Sequence, residues 1–171
     1  MLAREIMSAD PVCATPNDSV QKIARLMRDQ HFGCVPVVRG DHDRFLVGLV
    51  TDRDLAVRVV SEAKPADTPI EDVMSTGLSC CLPDARVEDV EDIMTRRQVR
   101  RVPVVDSTGA CVGIIALADI ARAAVKTQAV QDSELGRLVE YVSTRSDAAR
   151  SDADVGVYPH RLQFAAPQPV V

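Results

Sequence analysis

The feature that most constrains this chain is that it carries one stretch of sequence twice. At a shift of 67, residues 6–38 and 73–105 share ten identities in 33 positions, where average composition gives about two by chance. Met7-Ser8 falls on Met74-Ser75, Cys13 on Cys80, Pro16 on Pro83, Val20 on Val87 and Met27 on Met94. Val35-Pro-Val-Val likewise falls on Val102-Pro-Val-Val. Past Val38 the shift drops to 65, so Val47-Gly48 meets Val112-Gly113 and Asp54 meets Asp119. The two-residue deletion lies between the strands of a hairpin, where a change of length costs least. A unit of about 55 residues buries its own apolar faces poorly, so the two copies are expected to pack on each other.

Each copy reads β-α-β-β-α, an α+β unit. An extended stretch (12–15; 79–82) ends at a proline that cannot continue a ladder. A helix follows, with Val20, Ile23, Leu26 and Met27 at helical spacing, echoed by Val87, Val90, Ile93 and Met94. Asp18 or Ser19 is the expected cap of the first and Asp84 of the second. Hairpins are expected over 34–38 and 45–50, then over 102–105 and 111–115, with Asp106-Ser-Thr-Gly109 as the second turn. Closing helices start near Asp52 and Leu117 and run to Val60 and Val125. The domain reading is therefore 1–60 for repeat 1, 61–69 for a linker with two prolines, and 70–126 for repeat 2. Leu135, Leu138, Val139 and Val142 predict one more amphipathic helix within 127–145, and the polar, proline-bearing segment 146–171 reads as a weakly ordered tail.

Composition excludes several classes. The formal charge of −5 argues against broad nucleic-acid binding, which draws its affinity from a basic surface. Two Tyr, three Phe and no Trp leave no stacking platform for single strands. No apolar run approaches the roughly 18 residues of a membrane span, and the opening residues lack the basic start and apolar stretch of a secretory signal. A soluble, cytoplasmic protein is the expectation. Five cysteines without a Cys-x-x-Cys pair, and three scattered histidines, point to reduced thiols rather than a metal site or disulfide framework. No nucleophile lies beside a base, and no Gly-rich loop followed by Lys is present, so the chain is not expected to be an enzyme.

Two segments carry site chemistry. In Gly48-Leu-Val-Thr51-Asp-Arg-Asp54 a buried strand passes into a helix whose first N–H groups are unpaired. Thr51 is placed as the N-cap with Asp54 three residues on, a spacing that fits a capping box as well as a ligand site. In Arg96-Arg-Gln-Val-Arg-Arg101, Arg96 and Arg97 suit the negative end of a helix. Arg100 and Arg101 instead enter an apolar strand, where guanidinium forks are placed to grip phosphate oxygens. The first copy has Gly33-Cys34 there, so the basic pair is not a requirement of the fold.

The doubled unit, the Met-Ser openings, the Val-Pro-Val-Val strands and the Gly-x-x-Thr-x-x-Asp junction resemble a tandem pair of cystathionine-β-synthase (CBS) domains, also called a Bateman module. The resemblance covers about residues 1–126. It implies two units packed about a pseudo-two-fold axis with two clefts that hold AMP, ADP, ATP, NAD or S-adenosylmethionine. By the family's pattern Asp54, with Thr51 beside it and Gly48 opening the motif, meets the ribose. Thr15 meets adenine, and Phe32, Gly33, Cys34 and Val35 line the base pocket. Arg100 and Arg101 meet the phosphates of that same ligand. The second cleft keeps Gly113 and Asp119 but has Ala116 in place of the hydroxyl residue and uncharged Gly33 and Cys34 as phosphate partners, so weak binding is expected there.

The resemblance further implies a sensor of adenine nucleotides that acts in trans on an unknown protein target, and a homodimer. Two other functions stand beside it. One is an interaction adaptor with vestigial clefts, its Arg cluster docked on an acidic protein. The other is redox signalling through Cys80-Cys81 and Cys34, against which core packing of those thiols is expected.

Overall fold

The computed structural model describes residues 1–40 and 42–127. The predicted helix around Leu135–Val142 and the tail lie outside these residues. In chain order the elements are α1 (Ala3–Ile6), β1 (Ser8–Ala9), α2 (Val20–Gln30), β2 (Cys34–Val38), β3 (Leu46–Thr51), α3 (Asp52–Leu55), α4 (Val87–Arg97), β4 (Arg101–Val105), β5 (Cys111–Ala116) and α5 (Leu117–Thr127). The closing helix of repeat 1 is not uniform: after Leu55 it widens into a π turn, Ala56–Val60. The predicted stretches before the prolines are single parallel bridges rather than strands, Ala14 to Val37 and Cys81 to Val104. Each proline removes the donor that a longer ladder needs.

The helices end alike. Ser19 caps α2 by accepting from the Lys22 N–H at 3.2 Å. The equivalent residue in repeat 2 is Arg86, whose own N–H donates to Asp89. Asp84, the expected cap, is instead paired with Arg4 across the chain at 3.1 Å. Both helices stop at a left-handed residue that is not glycine, His31 (φ 56°) and Gln98 (φ 52°).

The two units exchange their opening segments. β1 pairs with β5 of repeat 2 to give the order β1-β5-β4, while β2 and β3 form a separate sheet that Ser75 extends by bridging Leu49. The hydrogen bonds repeat from unit to unit. Ala3 N–H donates to Ala85 O and Ile70 N–H to Asp18 O; Arg4 N–H donates to Pro83 O and Glu71 N–H to Pro16 O; Val87 N–H donates to Met1 O and Val20 N–H to Thr68 O. The cores follow the same exchange. Ala3, Ile6 and Met7 pack with Val90, Met94, Val102 and Ile115, whereas Ile70, Val73 and Met74 pack with Ile23, Val35, Val37 and Val50.

The exchange explains two motif glycines. A Cβ on Gly48 would run into the Met74 thioether and one on Gly113 into that of Met7. The Met of each Met-Ser opening therefore needs the Gly of the other unit's last strand. Near the pseudo-two-fold axis Phe45 bridges Ala110, flanked by two matching bonds: Leu46 N–H to Gly109 O at 3.0 Å and Cys111 N–H to Arg44 O at 2.9 Å.

Candidate functional site

The strand-to-helix junction after β3 builds the expected cap. Asp54 Oδ2 accepts from the Thr51 N–H at 2.9 Å and the Thr51 hydroxyl at 2.7 Å, and the Thr51 Oγ1 accepts from the Asp54 N–H at 3.2 Å. Asp54 Oδ1 has a looser neighbour, Arg58 Nε at 3.6 Å. Arg58 is itself anchored, donating to the carbonyls of Val73 and Met74 at 2.7 and 2.9 Å. One carboxylate oxygen is thus committed to the cap, and the other faces a held guanidinium. The Asp54 side chain keeps 16% of its surface exposed.

Arg101 reaches this neighbourhood from the other repeat. A Cβ placed on Gly33 would lie 2.6 Å from Asp52 Oδ2 and 3.4 Å from Arg101 Nη2. Gly33 therefore stands between an acid and a guanidinium that a larger residue would push apart. The buried Cys34 thiol feels the charges of this neighbourhood. Burial pushes its thiol up to about 12, Arg101 pulls it down, and Asp54 and Asp52 push it further up. Among the described residues, the Arg101 side chain has no hydrogen bond or ion pair that would occupy it.

Arg100 does not share this placement. Its carbonyl accepts from Leu117 N–H at 3.0 Å, the counterpart of the bond from Asp52 N–H to Gly33 O. Arg100 therefore occupies in the second unit the place of Gly33 in the first. Its side chain is exposed.

The other expected site residues fall into two groups. Thr15 is half-buried and held from behind, its N–H donating to Asp18 Oδ2 at 2.8 Å. Phe32 packs against the first core and Val35 is wholly buried in it, so the Val35 side chain backs the crevice rather than facing it. Gly48 and Gly113 are explained by Met74 and Met7. At the second junction Asp119 Oδ2 accepts from Ala116 N–H at 2.7 Å, but Oδ1 is ion-paired with Arg122 and Ala116 offers no hydroxyl.

Sequence reasoning gave no site role to Asp52, which lies with Arg101 beside Gly33, or to Arg58, which backs Asp54; of the two expected caps, Ser19 caps α2 and Asp18 holds the Thr15 N–H. The signal for Asp52 was available: a small residue at Gly33 only in the copy that has an acid at the helix start. Chemically the first junction offers a carboxylate oxygen backed by Arg58 and, from the other repeat, the Arg101 cation. That suits a small molecule with hydroxyls at one end and an anionic group at the other. Among the described residues no group of three His, Cys, Asp or Glu side chains could hold a metal ion, and no helix is long and apolar enough to cross a membrane.

Comparison with known proteins places these features. The CBS domain family model matches the chain twice, over residues 3–61 and 70–126. The CBS domain-containing protein YhcV of Bacillus subtilis is 36% identical over 118 residues, which span 69% of this chain and 81% of YhcV. Hypoxic Response Protein I, crystallised with two coordinated zinc ions, is 32% identical with a TM-score of 0.64, covering 71% of this chain and 98% of its own. The CBS domain pair of protein MJ0100, solved with 5'-methylthioadenosine and S-adenosyl-L-methionine, is 28% identical with a TM-score of 0.67, covering 74% and 98%.

Proposed function

This chain belongs to the CBS domain family, with two such domains in tandem, and on that footing we propose that it is a non-enzymatic module that binds an adenine nucleotide and relays its presence to a protein target in trans. The observation that carries the reading is that Arg101, from the second repeat, lies beside Gly33 and Asp52 at the first repeat's junction, the junction that Asp54 caps. In this reading Asp54 Oδ1, held only loosely by Arg58, takes the ribose hydroxyls together with Thr51. Arg101 takes the phosphate, because a guanidinium beside a half-buried crevice pairs best with an anion. Thr15, positioned by Asp18, meets the base. AMP, ADP and ATP therefore rank above adenosyl compounds that carry no phosphate, such as S-adenosylmethionine. The MJ0100 pair, bound to two adenosine compounds, supports the ligand class.

The second crevice binds weakly in this account, since Asp119 is committed to Arg122 and no hydroxyl stands beside it. Val57 and Val60 expose 50% and 76% of their surface on the closing helix of repeat 1, which supports a homodimer through that face. Five free cysteines fit the reducing cytoplasm. The units are assigned to residues 1–60 and 70–126, joined by 61–69.

A thermal-shift series with AMP, ADP, ATP, NAD and S-adenosylmethionine on the full chain tests the reading. A nucleotide at a hundred times its Kd stabilises the fold by about 2.7 kcal/mol, and the expected order places the phosphorylated ligands first. Absence of any shift would favour an adaptor with vestigial clefts.

A further inference from the structure

The junction that receives Arg101 also carries an acid that its counterpart lacks. Cys34 stands opposite Thr51 between β2 and β3, so the next pair outward is Gly33 and Asp52. Arg101 stands opposite Ala116 between β4 and β5, so the matching pair is Arg100 and Leu117. Both pairs make the same backbone bond, Asp52 N–H to Gly33 O at 3.2 Å and Leu117 N–H to Arg100 O at 3.0 Å. The fold therefore does not ask for the acid. It stands only at the end where the guanidinium from the other repeat arrives.

Asp52 is exposed, and its Oδ1 accepts from the Arg53 N–H at 2.8 Å. Its Oδ2 is the oxygen nearest Gly33. That oxygen and Arg101 Nη2 lie 2.6 and 3.4 Å from the point a Gly33 Cβ would take. Among the described residues no ion pair joins the two. The space that glycine leaves empty is thus bordered by one cation and one anion.

We propose that Asp52 sets how many phosphates the crevice accepts: its carboxylate, beside Arg101, selects a nucleoside monophosphate over the di- and triphosphates. The inference rests on the reading of Arg101 as the phosphate's partner. A single phosphate brings about two negative charges, which the guanidinium offsets in part. Each further phosphate adds about one more charge beside the carboxylate of Asp52. The other cation of this junction, Arg58, is held by the Val73 and Met74 carbonyls next to Asp54. At about 6 Å and near-aqueous screening, each such repulsion is worth about three- to tenfold in Kd. An acid at the first position of α3 also suits the positive end of a helix. That role acts on stability and gives no discrimination among ligands, so a ratio of affinities tells the two apart.

Calorimetry on the full chain with adenosine, AMP, ADP and ATP in magnesium-free buffer tests this. In the parent AMP should bind tightest, with ATP weaker by about tenfold. Asp52→Asn keeps an acceptor for the Arg53 N–H and removes the charge. It should bring ATP to within about threefold of AMP while adenosine binds as before. Asp52→Glu should keep the preference, and added salt should shrink it in the parent.

Adenosine separates the two ways of failing. If AMP gains nothing over adenosine in the parent, Arg101 holds no phosphate and both readings fall. If AMP gains but the ratio of ATP to AMP is the same in Asp52→Asn as in the parent, Asp52 does not select and this inference alone falls. Magnesium supplies a last arm. ATP bound more tightly than AMP only with magnesium, and only while Asp52 is present, would overturn the proposal in favour of an acid that holds a metal-bound triphosphate.

Discussion

Replacing Asp54 and Asp119 in turn separates a ligand-binding carboxylate from a structural one. Both cap their helices through Oδ2, so alanine at either position removes a cap costing about 0.5–2 kcal/mol. Asparagine keeps an acceptor for the Thr51 or Ala116 N–H and removes only the charge. At Asp54 the remaining oxygen is paired only loosely, at 3.6 Å from Arg58 Nε, a contact that a ligand hydroxyl can displace. A hydrogen bond to a charged group is worth about 1.5–3 kcal/mol, and about 1.4 kcal/mol is a factor of ten in Kd. Asp54→Asn should therefore weaken AMP binding about ten- to a hundredfold. Asp119→Asn should leave it unchanged, because that oxygen is already ion-paired with Arg122. Calorimetry on the two variants and the parent measures both, with far-UV circular dichroism to check the fold. Equal losses at the two positions, or none at Asp54, would refute the asymmetry.

Further outcomes follow from the same geometry. Gly33→Ala should cost about 1 kcal/mol or less in stability, because the Asp52 carboxylate it meets at 2.6 Å can swing aside; its effect should appear instead as weaker AMP binding by calorimetry. Ile70→Ala should destabilise the protein by about 2–5 kcal/mol in urea denaturation, since Ile70, though in the second repeat's sequence, is fully buried in the first core; a surface-like loss would contradict the exchange of segments. Asp18 is half-buried, and although burial raises its carboxyl, bonds from Lys22 and the Thr15 N–H hold it below the ordinary value. Its stabilisation is therefore complete above the unfolded carboxylate value and lost as pH falls through the folded one. Asp18→Asn should flatten the acid limb of stability against pH; an unchanged limb would show that Asp18 contributes nothing to it.

Much of this architecture was legible because the two copies check each other. A helix implied by Val20, Ile23 and Met27 is implied again by Val87, Val90 and Met94, and both are present. The exchange of opening segments was not legible, because spacing fixes what Met7-Ser8 and Met74-Ser75 form but not whose sheet they join. Gly48 and Gly113 held the clue as positions where only glycine leaves room for a thioether from the other unit. Asp84 was a fair cap by residue type, yet a long-range ion pair with Arg4 claims it. Arg100 and Arg101 could not be told apart in sequence. Arg100 matches Gly33 at the second junction, and the Arg101 side chain reaches Gly33 at the first. The Thr51–Asp54 spacing left capping and binding open; the structure shows one carboxylate oxygen serving the cap and the other 3.6 Å from Arg58.

The most direct measurement is a cycle by calorimetry on the full chain, comparing AMP with adenosine on the parent protein and on Arg101→Ala. If Arg101 holds the phosphate of a ligand whose ribose rests on Asp54, AMP binds the parent about tenfold or more tighter than adenosine, and the substitution erases that preference while leaving adenosine affinity intact. A phosphate preference that survives Arg101→Ala, or an equal loss for both ligands, would mean that the two repeats do not share one bound molecule.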